Sequence, residues 1–345
     1  MSTVTRSSPL DHPALAPRRG TMPAGRAIAT LLLALLVASL LGADSLERVA
    51  ERQPYGASRD VALFITKPMR SVSHALFLDR PREWIADVAN RDEQPVASVL
   101  LPAASVAPTT TLVSSGPSTT APPPPIPRKR TPTAAHPLRV LFAGDSLVGN
   151  ISQGVAKFIG DDARIDLHTD VQVGTGLARP DILDWGAELT QQLKRIGPDV
   201  VFLAFGGNDD QPLKDPTGQV HSLFTDGWAK EYARRVAAVM DLASAGGQRT
   251  VVWIGMPTER PERLNQAKDT FNDAARRNAA QRVDVHFADL LAFFGPAYSD
   301  TYTRPDGSVI TARDTDGVHL THDGANLLAP MLWQPIIPEY HLSGP

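Results

Sequence analysis

The sequence predicts a three-layer α/β/α domain built on a five-stranded parallel sheet, preceded by a transmembrane helix and a disordered Pro/Thr/Ser-rich linker. Three observations carry this expectation. After residue 137, short apolar runs alternate with segments of helical spacing, the pattern of strands covered by helices on both faces. Near the N-terminus lies an uncharged apolar stretch. Between the two stands a segment dominated by Pro, Thr, Ser and Ala, which cannot bury enough apolar surface to fold.

The elements follow in order. Residues 1–26 read as a cytoplasmic tail, with Arg18, Arg19 and Arg26 as its later positive charges. Residues 27–43 carry no charge and span roughly 25 Å as a helix, near the short limit for crossing a hydrocarbon core. Arginines before this stretch and Asp44 and Glu47 after it place the N-terminus inside and the rest of the chain outside the cytoplasm. A cleaved signal peptide is the rival reading. Cleavage after Ala43 would put Leu41 where a small residue is wanted, which favours an uncleaved single-pass anchor. Residues 44–101 read as a membrane-proximal helical segment, with Val61, Leu63, Phe64, Val72 and Leu76 among its apolar positions. Residues 102–137 form the linker, whose reach is roughly 110 Å if fully extended as polyproline.

From 138 onward the chain reads as one domain ending at 345. Strands are expected at 138–143, 165–171, 200–205, 250–256 and 283–288, and helices at 181–195, 228–245, 264–280 and from 323 onward. Gly197-Pro198 and Gly246-Gly247 stop two of the helices. The net charge of −3 gives no reason to expect a nucleic-acid partner. The chain has no cysteine, which excludes disulfides, thiolate metal sites and cysteine nucleophiles.

In doubly wound sheets reactive groups gather at the carboxyl ends of the strands, and four clusters fall there. They are Gly144-Asp145-Ser146-Leu147, Gly174-Thr175-Gly176, Gly206-Gly207-Asn208-Asp209 and Asp316-Gly317-Val318-His319. A serine on a strand-to-helix turn presents its hydroxyl outward while its own N–H faces a developing oxyanion. Its hydroxyl needs a base, and histidine is the usual one. His319 in turn needs an acceptor for its second ring nitrogen, and Asp316, three residues earlier, reaches it across a turn. A glycine N–H from the second cluster and the Asn208 side chain supply further oxyanion donors.

These blocks resemble the SGNH/GDSL hydrolase superfamily, in which Ser, Gly, Asn and His occur in this chain order. The resemblance covers roughly 138–335. In overall layout the chain also resembles bacterial membrane-anchored members of that superfamily grouped only as a domain of unknown function. The resemblance implies a flavodoxin-like SGNH fold, with Ser146 as nucleophile, His319 as general base and Asp316 as its partner. The oxyanion donors it implies are Ser146, Gly176 (with Gly174 as the alternative) and Asn208. It implies no cofactor and no metal. The activity implied is that of a serine esterase or O-acyltransferase working through an acyl-serine. Anchor and spacer point to O-acetyl groups of cell-envelope carbohydrate as substrate.

Other readings stand beside this one. A lipase or thioesterase acting on membrane lipid would use the same residues, and a catalytically silent scaffold would keep only the fold. Asp314 competes with Asp316 as the acid, and His322 with His319 as the base, although His322 has the position of a surface or capping residue before the last helix. Asp145 reads as a local hydrogen-bonding residue. Asp209 and Asp210 are either turn residues or, with Asp316, a metal site. His168 and His286 read as strand residues, Trp228 and Tyr232 as core, and Trp185 as a candidate pocket wall. A histidine base must be neutral to accept a proton, so hydrolysis is expected to fall as pH drops through about 6 to 7.

Overall fold

The computed structural model describes residues 23–76 and 129–342. These fall into two compact units, one comprising 23–51 with 60–76 and the other 52–59 with 129–342. Residue 1–22 expectations and most of the linker, 102–128, lie outside the described residues.

In the first unit, helix α1 (Ala24–Leu41) has no buried residue and is long and apolar enough to cross a membrane. Helix α2 (Ala43–Arg52) meets α3 (Ala57–Ala75) through Arg70, whose Nε donates to Asp44 at 2.8 Å and whose Nη1 lies 3.3 Å from Glu47.

The second unit is built on five parallel strands: β1 (Leu138–Gly144), β2 (Ile165–Val171), β3 (Val200–Ala204), β6 (Thr250–Ile254) and β7 (Val285–Ala288), in the order β2-β1-β3-β6-β7. The fold is thus the expected α/β one on a five-stranded parallel sheet. The reason lies in the side chains. Every residue of β3 and β6 is buried and β1 exposes only Arg139, so these strands read as continuous apolar runs. Edge strand β2 is half-buried along most of its length and shows alternation instead.

Two layers of helix cover the sheet. Helices α4 (Val148–Ile159), α9 (His322–Trp333) and α10 (Ile336–Glu339) share one core with Phe142, Phe202 and Trp333. Phe142 and Phe202 stack at 4.3 Å. Helices α5 (Trp185–Ile196), α6 (Asp226–Ser244) and α7 (Glu262–Ala279) enclose the other, around Leu203, Phe205 and Trp253. A short helix, α8 (Leu290–Phe294), and two antiparallel ribbons, β4 (Leu213–Lys214) with β5 (Val220–His221) and β8 (Thr301–Thr303) with β9 (Val309–Thr311), complete the unit.

The structure departs from the sequence expectation in places with a local cause. Helix α5 starts at Trp185 rather than 181, because the Asp184 carboxylate caps it by accepting from the Gly186 and Ala187 N–H groups. Helix α9 starts at His322, with the Thr321 hydroxyl accepting from Gly324 N–H. Residues 129–137, read from composition as linker, are part of the folded unit: Arg130 donates to Asp199 at 2.6 Å and Lys129 to Thr250 at 2.5 Å.

Candidate active site

The order in which the chain adds strands reverses between β1 and β3, and at that switch point the carboxyl ends of neighbouring strands leave a crevice. Ser146 sits there, two residues past β1 and two before α4. Glycine is required at the end of β1, because a Cβ on Gly144 would stand 2.1 Å from the Ala204 carbonyl oxygen. The chain therefore passes close against β3 before it turns to present Ser146.

The turn is fixed by a buried acid. Asp145 is fully buried, and its Oδ1 accepts from Leu147 N–H at 2.9 Å while Oδ2 accepts from Gly206 and Gly207 N–H at 3.1 and 2.9 Å. One side chain thus ties the serine turn to the loop after β3. Burial pushes its carboxyl up to about 7, against the pull of those three N–H groups. This is the hydrogen-bonding role expected for Asp145.

His319 comes from the far end of the chain. The antiparallel bridge between Arg313 and Leu320 closes a loop in which Gly317 takes φ +73°. Asp316 Oδ1 accepts from the N–H groups of Val318 and His319 at 2.8 and 3.0 Å, and Oδ2 lies 2.5 Å from His319 Nδ1. Nε2 of the same ring lies 2.7 Å from Ser146 Oγ. Paired this way, Nδ1–H donates to Asp316 and Nε2 accepts from the serine hydroxyl. Burial acts to raise the Asp316 carboxyl, yet the bonds from His319 and the two N–H groups bring it down to about 2, so it is charged throughout the neutral range. Asp314 is spent on its neighbour, accepting from Thr315 N–H and hydroxyl. His322 is exposed and bonds Gln153 at 3.0 Å, away from the serine.

The loop is braced from below by a buried ion pair that sequence reasoning missed. Arg313 Nη2 donates to Glu259 and to the Thr258 carbonyl at 3.1 Å, with Gly317 O at 3.4 Å. Both side chains are almost fully buried, at 3% and 0% exposure. Nothing in the sequence marks this pair, because its partners lie on different connections.

Asn208 donates through Nδ2 to the Thr175 carbonyl at 2.9 Å. An amide group carries two hydrogens, so this bond fixes the group and leaves one hydrogen for a ligand. The two candidate glycines have different surroundings. Gly174 lines a cavity beside Asn208, whereas Gly176 is buried and packs onto Asp209, whose Oδ1 a Cβ would meet at 2.2 Å. That close approach lets Asp209 accept from Ala178 N–H at 2.7 Å and from the Tyr232 hydroxyl at 2.9 Å. Asp209 is therefore a buried brace, while Asp210 lies near Arg263 at 3.6 Å.

The remaining candidates are structural. Trp185 is not a wall of that cavity: it is buried, edge-on to Phe205, and its indole N–H donates to Thr175 Oγ1 at 3.2 Å, propping the glycine loop. Trp228 and Tyr232 stack at 4.7 Å in the core. His168 and His286 pair with Asp166 and Glu339 on edge strands.

The cavity beside Asn208 holds about 830 Å³. Its walls include Gln172, Thr175, Gln211 and Arg263, together with Arg52 and Pro54 from far upstream.

A family model described as protein of unknown function (DUF459) matches residues 139–334. None of the curated proteins matches the chain in sequence. Among solved structures, the chain is similar to a family 3 carbohydrate esterase of Clostridium thermocellum, with 17% identity and a TM-score of 0.41 over 60% of this chain and 99% of that one. It is similar to an acetylxylan esterase, Axe2, of Geobacillus stearothermophilus, with 14% identity and a TM-score of 0.39 over 63% and 97% of the two chains. A third is phospholipase A1 of Streptomyces albidoflavus, with 17% identity and a TM-score of 0.32 over 59% and 98%.

Proposed function

The chain belongs to the DUF459 family, and from that premise we propose that this member is a serine esterase or O-acyltransferase that works through an acyl-serine. The observation that carries the reading is the unbroken relay from Asp316 through His319 to Ser146 Oγ, with separations of 2.5 and 2.7 Å.

In this reading Ser146 Oγ attacks the ester carbonyl and its proton passes to His319 Nε2. Asp316, charged from about pH 2 upward, stabilises the imidazolium that forms. The new oxyanion takes hydrogen bonds from the Ser146 N–H, the second Asn208 amide hydrogen and a main-chain N–H of the 174–176 turn, where Gly174 faces the cavity and Gly176 does not. His319 then returns its proton to the departing alkoxide. The acyl group is left on Ser146, and water or a sugar hydroxyl removes it by the same route in reverse.

The substrate we assign is an O-acetylated carbohydrate of the cell envelope, reached from a single-pass anchor in α1 with the catalytic unit outside the cytoplasm. What supports this is the mixed wall of the cavity, where two arginines and three amide side chains interrupt the apolar ones. A long acyl chain would gain little there. The test uses the full chain with and without Ser146→Ala on aryl esters from acetate to octanoate. Turnover that is lost in the variant and highest for acetate is the expected result. Turnover that survives the substitution would overturn the serine mechanism, and a rate rising toward octanoate would move the substrate to lipid.

A further inference from the structure

Residues 52–59 precede the first strand by a long stretch of chain, yet they pack in the same compact unit as the sheet. A set of interlocking side chains holds them. Arg179, in the loop after the 174–176 turn, is 1% exposed. Its Nη1 donates to the main-chain carbonyls of Gln53 at 2.8 Å and Arg52 at 3.3 Å. Its Nε and Nη2 take the two oxygens of Asp181, each at 2.8 Å. The guanidinium lies 4.6 Å from the centre of the Tyr55 ring, and that of Arg59 lies 4.8 Å from the same ring. Arg59 also reaches Asp181 at 3.5 Å. Burial and a hydrogen bond to Asp181 push the Tyr55 phenol up to about 12. The rigid fork of a buried arginine, filled by a carboxylate, two main-chain carbonyls and Gln211 Oε1 at 3.3 Å, holds the upstream segment in one place.

The effect is felt at the cavity. The held segment places Arg52 and Pro54 on the wall of the 830 Å³ space beside Asn208. An acetyl group fills a small part of such a volume, so most of it faces the alcohol portion of the ester. Arg52, Gln211 and Arg263 offer donors and Asp210 an acceptor beside the apolar Val173, Ile182 and Leu183, a lining that suits a sugar ring, with hydroxyls at its rim and C–H groups on its faces. We infer that residues 52–54, clamped through Tyr55 and Arg179, form one wall of the subsite that binds the carbohydrate portion of the substrate. The catalytic unit is incomplete without them. The inference rests on Ser146 acting as the nucleophile.

Arg179→Ala removes a buried charge network and would cost folding, so the test uses Tyr55→Ala and Arg52→Ala in the full chain. Tyr55 does not line the cavity. In the unsubstituted chain the Gln53 and Tyr55 amides exchange slowly with solvent, and in Tyr55→Ala the main-chain N–H groups of both positions exchange freely. The KM for an O-acetylated trisaccharide rises about tenfold in both variants, the size of one lost charge-assisted hydrogen bond, with kcat held within about twofold. Turnover of a small aryl acetate by Tyr55→Ala stays within about twofold, because that ester leaves the subsite empty. Free exchange of Gln53 and Tyr55 in the unsubstituted chain, equal losses on both esters, or no change on either would overturn the inference. If the unsubstituted chain hydrolyses no ester, the serine reading fails on its own. Calorimetry with the unacetylated trisaccharide then decides the subsite: binding weakened about tenfold by Arg52→Ala supports it, and binding unchanged or absent overturns it.

Discussion

Two polar layers meet at the carboxyl end of the sheet, and they differ in their access to water. The upper one, Asp316 and His319 with Ser146, is open, with side-chain exposures of 47% and 33% for the acid and the imidazole. The lower one is sealed: Asp145, Asp209, Glu259 and Arg313 are all buried. The upper groups bond to one another in a line that ends on a free face. Those below bond mainly inward, to main-chain N–H and carbonyl groups of the loops that carry the upper layer. In the proposed mechanism, chemistry and support are therefore separate sets of residues, although both are polar and close together. A carboxylate in water keeps its charge ready for a partner, and a carboxylate out of water stabilises only what it is bonded to.

The separation can be tested by removing each layer in turn. Ser146→Ala is expected to lower kcat on an aryl acetate by on the order of 10⁴ or more, while the thermal midpoint stays within about 2 °C. A large loss of stability would show the two layers to be one. Arg313→Met is expected to do the opposite first. It leaves Glu259 buried without its counter-charge, at a cost of about 3–5 kcal/mol, read from the urea midpoint. Adding Glu259→Leu is expected to recover most of that loss, because a buried pair replaced by apolar side chains is close to neutral.

Asn208→Ala removes an oxyanion donor in the proposed mechanism and is expected to cost about 10²–10³ in kcat, with little change in KM. An equal effect on KM would place Asn208 in ground-state binding instead. The last expected effect is a pH slope. Burial holds the Asp145 carboxyl up at about 7, against about 3.9 in an unfolded chain. Between those values the folded protein binds a proton that the unfolded chain releases, so this group makes stability fall as pH rises from about 4 to 7. Asp145→Asn lacks that slope, and its deficit relative to the unsubstituted chain is expected to shrink between pH 4.5 and 7.5. A deficit constant with pH would mean that Asp145 is ionised in the folded state. Asp316 titrates only near pH 2, so its protonation plays no part in any loss of activity above about pH 4.

Much of the upper layer was legible in the chain. Ser146 follows an apolar run that could only be a buried strand, and Asp316 stands three residues from His319, a local relation that a turn satisfies. The choice of Asp316 over Asp314 and of His319 over His322 followed from spacing and position; in the structure His319 stands between Asp316 and Ser146, while Asp314 bonds Thr315 and His322 bonds Gln153. The second block was the least legible. Its two glycines look alike in sequence, and only the approach of Asp209 to Gly176 tells them apart.

The sequence by itself determined the succession of the five sheet strands and of four helices around them, the apolar character of α1 and the identity of the polar groups gathered at the strand ends. All of these are local: a period of 2 or 3.6, a run of one chemistry, a short motif. The tertiary structure alone decided which polar groups would lose their water. Asp145 is closed in by the β3 loop, Arg313 by Glu259, and Arg179 by the carbonyls of residues 52 and 53. Each of those partners comes from a distant part of the chain. Burial is a property of the neighbours that folding brings, and no window of sequence contains them.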